Sequence, residues 1–145
     1  MTRPDRGTML LLAGDLAVLV LFAILGRRTH EEATGIEAVG AVLGTAAPFL
    51  LAWLVAFALT MRSTATPPAT LAAVPRLTAR AWLIAFPLAV LFRAAFLARF
   101  SPWTFYIVAG LMPLALLIAW RALFVLGAQR GRGGATPHSS SSLPR

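Results

Sequence analysis

Four segments of about 20 residues, each built almost entirely from apolar side chains, constrain this chain more than any other feature. An α-helix of about 20 apolar residues is long enough to cross the hydrocarbon core of a bilayer. We place these spans at residues 8–25, 39–61, 77–98 and 102–126. The pattern predicts an all-α fold, an integral membrane bundle of four helices.

The composition excludes an ordinary water-soluble domain. Of the 145 residues, 59% are hydrophobic and 12% are charged, whereas soluble domains average about 25% charged residues. A domain this small has too much surface to hide such an excess of apolar side chains. We therefore expect the lipid bilayer to be its solvent. Cysteine is absent, which excludes disulfides and thiolate metal sites.

The arginines predict an orientation rather than a nucleic-acid interface, because they are concentrated in the loops and no aromatic stacking series accompanies them. On the side with the N-terminus, the second loop and the tail, seven lie close to the spans: Arg3, Arg6, Arg62, Arg76, Arg80, Arg130 and Arg132. The other side carries three, namely Arg27, Arg28 and Arg99. By the positive-inside rule, both termini are expected in the cytoplasm.

The two ends of the chain carry further expectations. Residues 127–145 are rich in Gly and Ser, and this composition predicts a disordered C-terminal tail. Gly26-Arg27-Arg28 follows the first span where a signal peptide would have small neutral residues, so the span is expected to be retained. Abundant Ala, Arg, Gly and Pro are typical of a GC-rich bacterial genome, and we expect the bacterial inner membrane.

One carboxylate, Asp15, interrupts the first span. At a rise of about 1.5 Å per residue, Asp15 lies roughly 10 Å below the cytoplasmic edge, and Arg121 of the fourth span lies roughly 8 Å below it. Arg80 is shallower but long enough to reach down, and Trp53 and Trp120 lie in the same layer. These five residues form a candidate intramembrane polar cluster in which Asp15 pairs with Arg121 or with Arg80.

Two interpretations of this cluster remain open. A structural ion pair would fix the register of the helices and would keep Asp15 ionised, since a partner at equal depth removes most of the cost of burying a charge. Alternatively, Asp15 is part of a proton or ligand site, because ionisable groups inside membranes are often functional.

The prolines Pro48, Pro87 and Pro113 lie inside three of the spans. Each leaves the carbonyl four residues earlier without its helical partner, and Thr45 is placed to help near Pro48. The kinks predict either ordinary packing or, alternatively, a gate between helices. Two pairs of small residues, Gly40 with Gly44 and Ala13 with Ala17, allow close helix contact, and we expect packing within the chain rather than dimerisation.

Other polar and aromatic residues are expected near the span ends. Arg93 lies in the outer half of the third span, and we expect it to pair with Glu31 or Glu32 of the first loop. Three aromatic residues near span ends are predicted to be interfacial anchors: Trp82, Trp103 and Tyr106.

Catalytic motifs are absent from the sequence. His30 with Glu31 and Glu32 could bind a metal weakly, but neighbouring loop residues of this kind are more often solvated. We therefore predict no metal, no cofactor and no enzymatic activity.

Several short motifs resemble an uncharacterised bacterial membrane family, domain of unknown function 3054. They are the Asp of span one, the "GRRTH" that closes it, the "APFLLAW" of span two, and a third span with internal Pro and Arg. The resemblance covers about residues 9–126. It implies a small polytopic membrane protein without catalytic residues, and family-pattern positions of unknown role: Asp15, Gly26, Arg27, His30, Pro48, Phe49 and Trp53.

Two functional hypotheses follow. The first is an accessory or structural membrane protein, which binds a larger membrane protein or itself. The alternative is an oligomeric proton-coupled transporter or channel, similar in outline to the small multidrug-resistance transporters, which also have four helices and a carboxylate in the first. Those transporters use Glu at that point, and the dual-topology members among them lack the charge bias of this chain. A lipid-modifying enzyme is a third possibility, without any convergent catalytic set to support it.

Overall fold

A computed structural model describes residues 5–28, 35–63, 70–98 and 100–133. These residues form four α-helices and no strand: α1 (Arg6–Arg28), α2 (Gly35–Ser63), α3 (Ala73–Leu97) and α4 (Trp103–Gly133). Each helix is long and apolar enough to cross a membrane. The predicted all-α fold with four spans is confirmed.

The helices are longer than the apolar segments from which they were predicted. α3 begins at Ala73, four residues before the predicted span, and α4 continues to Gly133, so that residues 127–133 are helical rather than part of a disordered tail. Backbone hydrogen bonding does not stop where hydrocarbon stops. The helix continues here although Gly127, Gly131 and Gly133 are poor helix formers, and the Ala, Gln and Arg between them are good ones. The rest of the predicted tail, residues 134–145, lies outside the described residues.

Asp5 caps the N-terminus of α1. Its Oδ1 accepts a hydrogen bond from the backbone N–H of Thr8 at 2.7 Å, which satisfies one of the N–H groups that a helix start leaves without a partner. Hydrogen bonds from the side chain and the backbone of Thr8 lower the pKa of Asp5 below its ordinary value of 3.8, because they favour the charged carboxylate.

This cap predicts a pH-dependent helix start. Because the folded-state pKa is lowered, the contribution of the cap is present above the ordinary pKa and is lost as the pH falls through the lower folded value. We expect the Thr8 amide to lose protection from hydrogen exchange in that acidic range. Asp5→Asn is the control, since asparagine caps without titrating. Identical pH profiles for the two proteins would contradict the assignment.

The four helices form a closed ring in which each helix packs against two others. α2 packs against α1 and α3, and α4 packs against α3 and α1. Consecutive helices are therefore neighbours in an up-and-down bundle, and the first and last helices must also associate to close it. Both ends of the described chain lie at the same end of the bundle.

Rows of buried alanines bring α2 and α3 together. They recur at intervals of four residues, on one face of each helix: Ala52 and Ala56 on α2, and Ala81, Ala85 and Ala89 on α3. In a membrane, helices associate largely through close van der Waals packing, which small side chains permit. Larger side chains, among them Leu19, Phe49 and Leu117, fill the centre of the bundle.

The two small-residue pairs that the sequence suggested for internal packing face outward instead. Gly40, Gly44, Ala13 and Ala17 are all exposed, and a Cβ atom added at Gly40 or Gly44 would meet nothing within 4 Å. The expectation of packing within the chain is therefore wrong for these pairs. A spacing of four residues shows that two residues share a face, but it does not show which face enters the core.

Trp82 is part of the core and is not an interfacial anchor. It is 5% exposed, its Nε1 donates to the carbonyl oxygen of Gly110 at 2.8 Å, and its ring stacks on Phe86. Trp103, in contrast, is exposed at the start of α4. Near Pro48, the Thr45 hydroxyl donates to the carbonyl oxygen of Ala41 at 3.0 Å, and not to the Gly44 carbonyl that Pro48 leaves without its helical partner.

Candidate functional site

Asp15 and Arg121 meet in the interior of the bundle, at the interface of α1 and α4. The Asp15 side chain is 0% exposed and the Arg121 residue is 5% exposed. Each lies near the middle of a long apolar helix, so neither can be solvated by bulk water at its position. Their opposite charges compensate each other, which agrees with the expectation that Asp15 pairs with an arginine at a similar position along its helix.

The contact between them is bidentate. Arg121 Nε donates to Asp15 Oδ1 at 3.0 Å, and Arg121 Nη2 donates to Asp15 Oδ2 at 2.6 Å. Such parallel, charge-assisted hydrogen bonds fix the orientation of both groups and are about twice as strong as neutral ones. The pair therefore sets the rotation and the register of α1 relative to α4.

Trp53 of α2 completes the polar contacts of the carboxylate. Its Nε1 donates to Asp15 Oδ2 at 3.2 Å, and the Arg121 guanidinium carbon lies 5.1 Å from its ring centroid, which is a cation–π distance. Trp53 is 0% exposed, and its ring contacts Trp82 of α3. Three helices thus hold the pair directly, and the fourth packs behind them.

Trp120 supports the pair without touching the carboxylate. Its Nε1 donates to the Leu11 carbonyl oxygen at 3.3 Å, and its indole ring lies over Gly14. A Cβ atom at Gly14 would come within 1.9 Å of Trp120 Cζ2. Gly14 is therefore the residue that lets α4 approach α1 beside the ion pair.

Arg80 is not part of the cluster. It is exposed on α3, whereas its neighbours Thr78 and Ala81 face the core. Of the two partners that the sequence allowed for Asp15, the structure selects Arg121. Matching positions along the helices identified Arg121 as the partner, but such positions carry no information about the face of α3 on which Arg80 lies.

The family-pattern positions have mixed locations. Pro48 and Phe49 are buried, and Phe49 makes an edge-to-face contact with Phe22. Gly26 is exposed near the end of α1. The Arg27 side chain and all of His30, Glu31 and Glu32 lie outside the described part of the chain, so the possible metal site stays a prediction, as do the two carboxylates as partners for Arg93.

The sequence reasoning missed two residues that face the interior of the bundle. Gly14 stands next to Asp15. A glycine beside a charge inside an apolar span was the sequence feature that could have indicated a close helix contact at this point. Thr78 is fully buried on α3, and its hydroxyl has no hydrogen-bond partner among the residues described. A threonine amid apolar residues gave no sequence signal that distinguishes this position.

The chemistry available to the cluster is charge compensation and helix fixation. Within the described ranges, no group of three or more His, Cys, Asp or Glu side chains could hold a metal ion. Both oxygens of the Asp15 carboxylate accept hydrogen bonds, from Arg121 and from Trp53, and these contacts tie three helices together.

The fold and the site define a multi-pass membrane protein whose four-helix ring is closed by a buried Asp–Arg pair. The chain belongs to the DUF3054 family, described as a protein of unknown function, whose family model matches residues 12–124. That range includes Asp15, Trp53 and Arg121. No curated protein and no solved structure matches the chain.

Proposed function

We propose that this protein is an accessory membrane protein without a reaction of its own, which acts by presenting a rigid four-helix surface to a larger membrane protein. The observation that supports this proposal best is the pairing of Asp15. The carboxylate binds Arg121 through both oxygens and Trp53 through one, and it is fully buried, so it holds three helices together in the interior of the bundle.

The surroundings of the pair support the same role. Trp53, Leu19, Leu117 and Ala52 are all buried in the core cluster of the bundle. The two cavities that lie beside Arg93 are not lined by Asp15 or Arg121. An ion pair in such packing acts as a fixed point of the fold, whereas a proton carrier needs access to water on each side of the membrane.

For location and orientation, we propose the bacterial inner membrane with both termini in the cytoplasm. The support is the distribution of arginine near the spans, since seven lie close to them on the side with the termini and the second loop and three on the other side. Four spanning helices return a chain to the side on which it started, which supports a common side for both termini. Reaction of cysteines introduced at Thr2 and Ser142 with an impermeant thiol reagent in intact cells tests the orientation.

A proton-flux measurement separates the accessory role from the transport alternative. In vesicles with an interior pH dye, we expect the reconstituted protein to dissipate an imposed pH gradient no faster than protein-free vesicles do, because the carboxylate stays bound to Arg121. Asp15→Asn is expected to give the same trace. A flux that is present in the unaltered protein and absent in Asp15→Asn would favour the transporter instead.

The partner itself is best found by gentle purification from native membranes. An affinity tag on the C-terminal tail, with mass spectrometry of the co-purified proteins, is expected to recover one membrane protein in a constant ratio to this chain. Failure to recover any protein in stoichiometric amount, together with a measured flux, would contradict the accessory role.

A further inference from the structure

The α3 arginine pair consists of Arg76 and Arg80, which lie four residues apart near the start of α3. Residues at this spacing share one face of a helix, with about 5–6 Å between their Cβ atoms. Both arginines are exposed. Among the residues that the structure describes, neither has a hydrogen bond, an ion pair or a ring contact. Two guanidinium groups therefore stand side by side with their donors open.

No acidic side chain is placed to compensate the α3 arginine pair. The chain has five acidic residues, and all of them lie within its first 37 residues. In the described part of the chain, α3 packs against α2 and α4 alone. α3 and α4 contain no acidic residue, and the one of α2, Glu37, lies in its first turn at the opposite end of the bundle. We therefore expect the counter-charge to come from outside the chain.

The start of α3 adds to the positive potential of the pair. The first turn of a helix carries a partial positive charge and favours acidic side chains, but the first turn of α3 has none and contains Arg76 instead. Like charges four residues apart also repel each other. Residues that the local helix disfavours are typical of functional positions. A bound anion would relieve both effects.

The position of the pair along α3 matches the level of lipid headgroups. α3 has 25 residues and is therefore about 37 Å long, whereas the hydrocarbon core of a bilayer is about 30 Å thick. In a helix centred on that core, Arg76 lies at the edge of the hydrocarbon and Arg80 about 7 Å inside it. Arginines so close to the edge extend their charged groups along the helix to the interface. Both guanidinium groups thus reach the layer of the lipid phosphates.

Exposed apolar side chains continue the same face of α3 beyond the arginines. Leu83 and Leu91 follow Arg80 by three and eleven residues, and these intervals keep them near its face of the helix. Leu83 is 74% exposed and Leu91 is 59% exposed. A ligand at this place meets two cations and, directly beside them, an apolar surface. This combination suits an amphiphile better than a water-soluble anion or an acidic protein segment.

We propose that the α3 arginine pair binds one phospholipid of net negative charge. The lipid phosphate accepts hydrogen bonds from both guanidinium groups, and the acyl chains lie along Leu83 and Leu91. A guanidinium matches the geometry and the charge of a phosphate. This lipid site involves neither Asp15 nor Arg121, so it goes beyond the accessory role proposed above and does not depend on it.

Native mass spectrometry of the full, delipidated chain in detergent tests the site, with phosphatidylglycerol as the probe. We expect Arg76→Gln/Arg80→Gln to weaken binding of the first lipid about tenfold, since charge-assisted hydrogen bonds are lost. Arg6→Gln/Arg130→Gln is the matched control, because it also removes two exposed arginines from this end of the bundle. Equal losses in the two double variants would mean that the lipid responds to net charge alone, which would overturn the proposal.

The number of lipids that each variant binds tests whether the two arginines share one phosphate. We expect Arg76→Gln, Arg80→Gln and the double variant each to lose the same single lipid at a concentration that saturates the unaltered chain. Loss of one lipid in each single variant and of two in the double variant would contradict a shared site. Glutamine is a good helix former, and circular dichroism checks that each variant is folded.

Competition experiments identify the occupant. Equal binding of phosphatidylcholine with the same acyl chains would reject a site for a net negative charge. Displacement of phosphatidylglycerol by an equal concentration of inorganic phosphate would mean that the pair binds a free anion, and displacement by a glutamate peptide would mean that it binds an acidic protein segment. Preference for phosphatidylglycerol that persists against both competitors supports the proposal.

Discussion

The Asp15→Asn variant is expected to lose about 3–5 kcal/mol of its free energy of unfolding, because the change leaves the buried Arg121 guanidinium without a compensating charge. The variant keeps the shape of the side chain and removes only the charge. Reversible unfolding by sodium dodecyl sulfate in mixed micelles, followed by tryptophan fluorescence, measures the loss. A loss of this size exceeds that of most single substitutions.

Replacing both partners provides the decisive comparison. In Asp15→Leu/Arg121→Met, no buried charge remains, and we expect most of the lost stability to return, since replacing a whole buried ion pair by apolar residues is often neutral or stabilising. Arg80→Gln is the control for loss of an arginine outside the cluster. Full stability of Asp15→Asn itself would show that the bidentate contact does not hold α1 to α4.

The Gly14→Ala variant is expected to cost about 1–3 kcal/mol, which is the usual effect of overpacking a well-packed core. Its Cβ atom would overlap the rigid indole of Trp120, with 1.9 Å to Cζ2 and 2.5 Å to Nε1. The ring must move, and its hydrogen bond to the Leu11 carbonyl is then lost. The same unfolding measurement in mixed micelles gives the size of the effect.

A double-mutant cycle assigns this cost to the contact with Trp120. In the Trp120→Phe background, the smaller ring leaves room for a methyl group, so Gly14→Ala is expected to cost much less there. Gly40→Ala is the matched glycine control, since its new methyl group meets no neighbour and alanine favours a helix by about 1 kcal/mol over glycine. An equal cost at Gly14 in both backgrounds would contradict the contact.

The sequence predicted the membrane fold because apolar segments long enough to cross a bilayer have few alternatives. It also predicted that Asp15 and Arg121 meet, since helical rise converts residue number into position along each helix. It did not predict the face that each helix turns to its neighbours. Arg80 was grouped with the cluster for that reason, although it is exposed on α3.

The same limit explains the small residues and Trp82. Ala13 and Ala17 were chosen for their spacing, but their outward position leaves the adjacent Gly14 as the contact with α4. Trp82 lies near a span end in sequence, yet its face of α3 points at the Gly110 carbonyl of α4. The sequence of an Ala-rich helix with apolar residues on all sides carries only weak information about rotation.

The joining of the first helix to the last has a consequence for biogenesis. Asp15 and its arginine are separated by 106 positions in the chain, so the carboxylate leaves the ribosome long before its counter-ion has been synthesised. During that interval the nascent α1 carries a carboxylate that is costly to leave alone in hydrocarbon. We therefore expect α1 to stay beside the insertion machinery until the fourth helix arrives.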